Sequence, residues 1–239
     1  MSQKKIIVGD VHGCYDELCE LLCKAEFDEA SDRLIFVGDL MDRGPGSREV
    51  FAYVRKLKSE IGDRLVIVRG NHEQMFIDRD EFWKDNGGTK TISSFRACGD
   101  DANKHRAWFV MHTVPYYVDP EEPFQVVHAG LYHEDPAEEE EDTLLWDREP
   151  LEKGMYAGKF TFCGHTPTQF PLLSFRGADE APHFIRIEYG TDYDMQPSLG
   201  LINLDTGCVF GGALTAAIVQ NGKIRFIKAD SRRKSKGQI

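Results

Sequence analysis

Five short apolar runs in this chain each end in a polar residue set beside a glycine, and that repetition constrains the fold more than any other feature. The runs are "IIVGDVHG" (6–13), "LIFVGDLMDRG" (34–44), "LVIVRGNHE" (65–73), "FQVVHAG" (124–130) and "FTFCGHT" (160–166). Runs of β-branched and aromatic residues without apolar–polar alternation read as strands buried on both faces. Helical patterns separate the first three: "YDELCELLCKAEF" (15–27), with Leu18, Leu21 and Leu22 on one face, and "SREVFAYVRKLKSEIG" (47–62). Strand, helix and strand in alternation predict βαβ units and a parallel sheet. Ligands of such sheets bind beyond the carboxyl ends of the strands, so the fold would collect all five polar signatures on one rim.

The carboxyl half reads differently. "LINLDTGCVFGG" and "LTAAIVQNGKIRFIKA" look like antiparallel strands, with Asn221-Gly222 as a two-residue hairpin turn. They suggest a second sheet packed on the first. The acidic stretch 134–142 reads as a solvated loop, 82–88 as a helix end capped by glycine, and 172–199 as a flap or a long hairpin. One domain over 1–228 is expected, followed by a basic, disordered tail at 229–239.

Charge narrows the partners. With 29 basic against 40 acidic residues, the net charge of -11 argues against a nucleic-acid backbone or an anionic membrane. No stretch approaches the roughly 18 apolar residues that span a bilayer, and "MSQKK" carries no signal-peptide core. The six cysteines lack the spacing of a disulfide framework or a zinc motif, which predicts reduced thiols and a cytoplasmic protein.

The rim gathers Asp10, His12, Asp39, Asp42, Asn71, His72, His128 and His165. Carboxylate, imidazole and amide oxygen without thiolate suit divalent manganese, iron, or zinc in a catalytic site. The ligands suffice for two ions, and two ions roughly 3.5–4 Å apart need a shared carboxylate, for which Asp39 at the second strand end is the natural choice. Arg43, Arg69 and Arg148 could each grip a phosphate face with two hydrogen bonds.

In order, GDxHG, GDxxDRG, GNHE, HAG and GHT resemble the signatures of the calcineurin-like metallophosphoesterases, in the phosphoprotein phosphatase branch. "RGNHEQMFID" and "LLWDRE" are most similar to the bacterial and phage Ser/Thr protein phosphatases. The resemblance implies an α/β fold of two packed mixed β-sheets flanked by helices. It implies Asp10, His12 and Asp39 on a first metal, and Asp39, Asn71, His128 and His165 on a second, most simply two Mn2+. It also implies His72 as general acid oriented by Asp42, phosphate on Arg43 and Arg148 (Arg69 more weakly), and in-line attack by a metal-bridging hydroxide.

The substrate would be a phosphorylated protein or a small phosphoester. The alternative is hydrolysis of a dinucleoside polyphosphate, because "GDVHGCYDEL" and "DRGPGS" also resemble the diadenosine tetraphosphatases of the superfamily. That reading needs stacking surfaces for nucleosides, for which Trp83 and Tyr132 are candidates. Glu73, where the tetraphosphatase pattern has Asp after GNH, favours the phosphatase.

Overall fold

The computed structural model describes residues 2–195 and 200–233. In chain order the elements are β1 (Lys5–Val8), α1 (Tyr15–Lys24), β2 (Arg33–Phe36), α2 (Ser47–Ile61), β3 (Leu65–Ile67) and α3 (Asn71–Asp78). Next come α4 (Thr89–Ala97), α5 (Arg106–His112), β4 (Tyr117–Val118), β5 (Phe124–Val126), α6 (Glu141–Trp146), α7 (Glu149–Glu152) and β6 (Phe160–Cys163). The chain closes with β7 (Leu172–Arg176), β8 (Pro182–Arg186), β9 (Asp192–Asp194), β10 (Leu201–Asn203), β11 (Ala213–Gln220) and β12 (Lys223–Asp230).

Two six-stranded sheets result, ordered β3-β2-β1-β11-β12-β9 and β4-β5-β6-β10-β7-β8. The first three strands pair in parallel, as do β5 and β6. Side chains leave a strand on alternate faces, and the core follows that period. Ile6, Val8, Leu34 and Phe36 pack with Leu18, Leu21, Val50 and Val54 of α1 and α2. Ile7, Ile35 and Val37 pack instead with Val126, Phe162 and Leu204 of the second sheet. Both faces are therefore buried, as the unbroken apolar runs imply. Each such aliphatic side chain contributes roughly 1.5–3 kcal/mol, and the order helix, sheet, sheet, helix is what holds the strand ends still.

Several expectations are corrected. The carboxyl-terminal strands do not form a sheet of their own: β11 pairs antiparallel with β1 in the first sheet, and β10 sits between β6 and β7 in the second. The five signatures accordingly come from both sheets, three from the first and two from the second. Asn221 (φ 53°) and Gly222 (φ 71°) make the expected turn between β11 and β12. Residues 134–142 are mostly exposed, as expected, except that the Glu139 carboxylate is buried and accepts the backbone N–H groups of Tyr132 and His133. Residues 82–88 are short helical segments broken at Gly87 (φ 107°) that lead into α4 rather than ending a helix.

Within 172–199, β7 and β8 form a hairpin while β9 joins the first sheet; 196–199 lie outside the described residues. Strand β12 continues past residue 228 to Asp230, and the Arg232 guanidinium pairs with Asp16 at 2.9 Å. The rest of the expected tail, 234–239, is outside the described residues.

One buried ion pair ties the layers together. Lys5, at 1% exposure on β1, reaches Asp119 at 3.2 Å and Glu121 at 2.9 Å, in the turn between β4 and β5.

Candidate metal centre

The loops after β1, β2, β3, β5 and β6 bring their polar residues together. His12 (φ 44°), Asp39 (51°), Asp42 (71°), Arg43 (61°) and His165 (65°) all adopt the left-handed conformation. Such backbone costs of order 1–3 kcal/mol per residue and persists only where the surroundings enforce it. Here hydrogen bonds enforce it. Val11 and His12 N–H donate to Asp39 O at 3.2 and 2.8 Å, which joins the first two loops. The Glu73 carboxylate joins the second to the third, accepting from Asp39 N (2.8 Å), Leu40 N (2.9 Å) and Gly70 N (3.0 Å). Burial pushes Glu73 up to about 7 despite these donors. His165 N–H donates to Asp10 Oδ2 at 3.1 Å and closes the ring between the two sheets. Glycine is required where these loops touch: a Cβ on Gly164 would overlap Asp10 Oδ1, and one on Gly38 (φ 117°) would lie 2.7 Å from Gly70 Cα and His128 Nδ1.

The imidazoles are oriented from behind. His12 Nδ1 donates to Met41 O at 2.8 Å, and His128 Nδ1 donates to Val37 O at 2.9 Å. Each ring then presents the Nε2 lone pair inward, as metal-ligating histidines do. His128 Nε2 faces Asn71 Oδ1 at 3.0 Å and Asp39 Oδ1 at 3.5 Å, while His165 Nδ1 lies 3.2 Å from Asn71 Oδ1. Lone pairs facing oxygens in a buried cluster repel unless a cation lies among them. The ligand atoms of Asp39, His128 and His165 fall within 4.8 Å of one another, and so do those of His12, Asp39 and His72.

Electrostatics agree. Burial lowers His128, and it lowers His165 to about 3, which leaves the His165 ring free to donate a lone pair. Asp39 is the opposite case. Burial raises it, but the imidazoles of His128, His72 and His12 outweigh that and hold it well below the usual carboxylate range. For His12, burial lowers the ring but the Asp39 carboxylate wins and raises it. Asp10 is raised well above its usual value by burial, then by the charges of Asp205 and Asp39. Three buried carboxylates so arranged are short of positive charge, which is what a divalent pair would supply. The residues present fit such a pair.

His72 stands apart. Its Nδ1 is 2.8 Å from Asp42 Oδ2, and its Nε2 is buried without a hydrogen-bond partner among the described residues. Asp42 is held in turn by Trp83 Nε1 (2.8 Å) and Thr91 Oγ1 (2.5 Å), while its own N–H donates to Ser47 Oγ at 3.1 Å. Arg43 Nη1 donates to His12 Nε2 at 2.7 Å, and Arg148 Nη2 donates to His165 O at 3.5 Å. Arg69 is spent elsewhere: Nε on Thr113 Oγ1 (2.9 Å) and Nη1 on Gln74 Oε1 (3.0 Å).

Sequence reasoning missed Asp205 and Thr91. The "LDTG" stretch was the only available sign of Asp205, and nothing around Thr91 marked it. Trp83 was anticipated as a cleft residue but is buried behind Asp42.

The family model described as calcineurin-like phosphoesterase matches residues 4–195. The chain is 31% identical over 238 positions to serine/threonine-protein phosphatase 1 of Salmonella typhimurium, covering 90% of this chain and 91% of that one. It is 28% identical over 279 positions to the symmetrical bis(5'-nucleosyl)-tetraphosphatase of Shigella dysenteriae, covering 97% and 96%. Among solved structures, a metallophosphoesterase from Sphaerobacter thermophilus superposes with a TM-score of 0.64 at 20% identity, covering 96% of this chain and 90% of that one.

Proposed function

Because the chain belongs to the calcineurin-like phosphoesterase family and is a hydrolase of phosphoester bonds, we propose that it cleaves phosphomonoesters as a Ser/Thr protein phosphatase. Asp10, His12 and Asp39 would hold one divalent ion and Asp39, Asn71, His128 and His165 a second. Mn2+ is the first choice, and Fe or Zn suits the same donors. When bound, the two ions lower the pKa of a coordinated water and neutralise charge on the phosphoryl group.

The chain's own groups do the rest. Arg43 and Arg148 grip phosphoryl oxygens from the two sides of the cluster. His72 Nε2, the orphaned atom, delivers a proton to the leaving oxygen, and that observation carries the proposal. Asp42 accepts the Nδ1 proton, so it fixes the ring and stabilises its charged form. Trp83 and Thr91 hold Asp42 in turn.

Two observations support a protein substrate over a dinucleotide. Trp83 is 5% exposed with its N–H committed to Asp42, so it offers no stacking face. The alignment to the tetraphosphatase spans 279 positions, at least 40 more than this chain's 239 residues, and those extra segments have no counterpart here. Tyr132, at 39% exposure, and Trp146, at 41% and 6.1 Å from the His165 ring, are aromatics open to the alternative reading, which the high coverage of that same alignment favours. Six free cysteines support a cytoplasmic setting. Among the described residues, no helix is long and apolar enough to cross a membrane.

The test is phosphate release by manganese-loaded protein, offered a phosphoserine/phosphothreonine peptide and diadenosine tetraphosphate in parallel, with His72→Asn as control. Higher kcat/KM on the peptide is expected. Preference for the dinucleotide would transfer the assignment to the alternative, and turnover no faster than the variant's would sink both.

A further inference from the structure

Cys14, Glu17 and Cys208 bring two thiols and a carboxylate within 4.8 Å of one another, and none of the three belongs to the candidate centre. All three are buried. Cys14 caps α1, and Glu17 sits at the third position of that helix, where an acidic side chain ordinarily reaches back to the cap N–H. Here it does not. Cys14 N–H donates to Val11 O at 2.9 Å, and among the described residues the Glu17 carboxylate accepts only the backbone N–H of Arg232, at 2.8 Å. The Arg232 guanidinium turns away to Asp16 (2.9 Å) and Glu20 (3.6 Å). Among the described residues no basic side chain pairs with Glu17, whose exposure is 5%. A buried carboxylate that keeps its charge is paired with a cation or coordinates one.

We propose that Cys14, Glu17 and Cys208 form a site for a soft divalent cation of the Zn2+ or Cd2+ type, separate from the candidate dinuclear centre. Two sulfurs and one carboxylate oxygen are the donor set such ions select over manganese. A cavity of about 380 Å³, lined by Gly13, Cys14, Glu17 and Arg232 among others, gives entry to two of the three donors. The position has a consequence. Cys14 lies two residues after His12, and Cys208 lies three after Asp205. A bound ion cross-links the loop that carries His12 to the one that carries Asp205.

Cadmium titration tests this without reference to turnover. Full-length protein carrying Cys19→Ser, Cys23→Ser and Cys98→Ser retains only the three buried thiols, so surface thiols add no signal. Added Cd2+ should produce a thiolate-to-metal charge-transfer band in the ultraviolet whose final amplitude corresponds to one thiolate-bound Cd2+ per chain. Nitrogen and oxygen ligands give no such band. Cys208→Ser in this background should abolish it. Glu17→Gln, which keeps both thiols and the side-chain shape, should weaken cadmium binding roughly ten- to a hundredfold. No band, a band unchanged by Cys208→Ser, or affinity unchanged by Glu17→Gln would each overturn the proposal; circular dichroism verifies that each variant is folded.

Discussion

The Trp83 indole donates its Nε1–H to Asp42 Oδ2 at 2.8 Å, the same carboxylate oxygen that lies 2.8 Å from His72 Nδ1. One oxygen thus serves two donors, so Trp83 fixes where the His72 ring can sit. Trp83→Phe keeps the packing against Phe76 (4.9 Å between ring centroids) but removes that donor. A hydrogen bond to a charged group is worth about 1.5–3 kcal/mol, and one tenfold step in rate is about 1.4 kcal/mol. Trp83→Phe should lower kcat about tenfold with KM nearly unchanged, and Asp42→Asn should lower it about a hundredfold. Steady-state kinetics on a phosphopeptide separate the two constants; a fall confined to KM would place Trp83 in substrate binding instead.

Gly164 is where the second sheet touches Asp10 on the first. A Cβ there overlaps Asp10 Oδ1, so Gly164→Ala should displace that carboxylate and weaken manganese binding by about tenfold or more. Isothermal titration calorimetry on metal-free protein measures it. Wild-type affinity in the variant would mean Asp10 is not a ligand.

Metal should also stabilise the fold, because the ligands converge only in the native state. At a free ion concentration about 100 times Kd, linkage gives roughly 2.7 kcal/mol, and in a protein of this size that raises Tm by about 5–10 °C. Calorimetry of stripped protein with and without Mn2+ reads the shift. Asp39→Asn should lose most of it, while His72→Asn should keep it.

Lys5 and Asp119 form the buried pair that links the two sheets. Breaking such a pair leaves an uncompensated buried charge and costs about 3–5 kcal/mol. Lys5→Met should therefore lower the urea midpoint sharply, and adding Asp119→Asn should restore part of the loss. An unchanged midpoint in Lys5→Met would show that the pair contributes nothing.

The strand-end residues were legible because their chemistry is local: Asp10, His12, Asp39, Asn71, His128 and His165 each follow an apolar run directly. Their convergence was legible too, since each signature ends a buried strand. What could not be read was pairing across the chain. Strand β11 returns to β1 after more than 200 residues, and an alternating pattern does not name its partner. Trp83 and Thr91 both lie outside the motifs, and only the fold brings them to Asp42. Glu73 stood in plain view within GNHE, but its role as clamp on three backbone amides depends on where the second loop lies.

The most direct measurement of the central claim is electron paramagnetic resonance of the manganese-loaded protein. A shared Asp39 would place two ions close enough for exchange coupling, so the spectrum should be that of a coupled Mn2+ pair at two equivalents per chain, replaced by isolated Mn2+ in Asp39→Asn. A wild-type spectrum of isolated Mn2+ alone, saturating at one equivalent, would contradict a dinuclear centre.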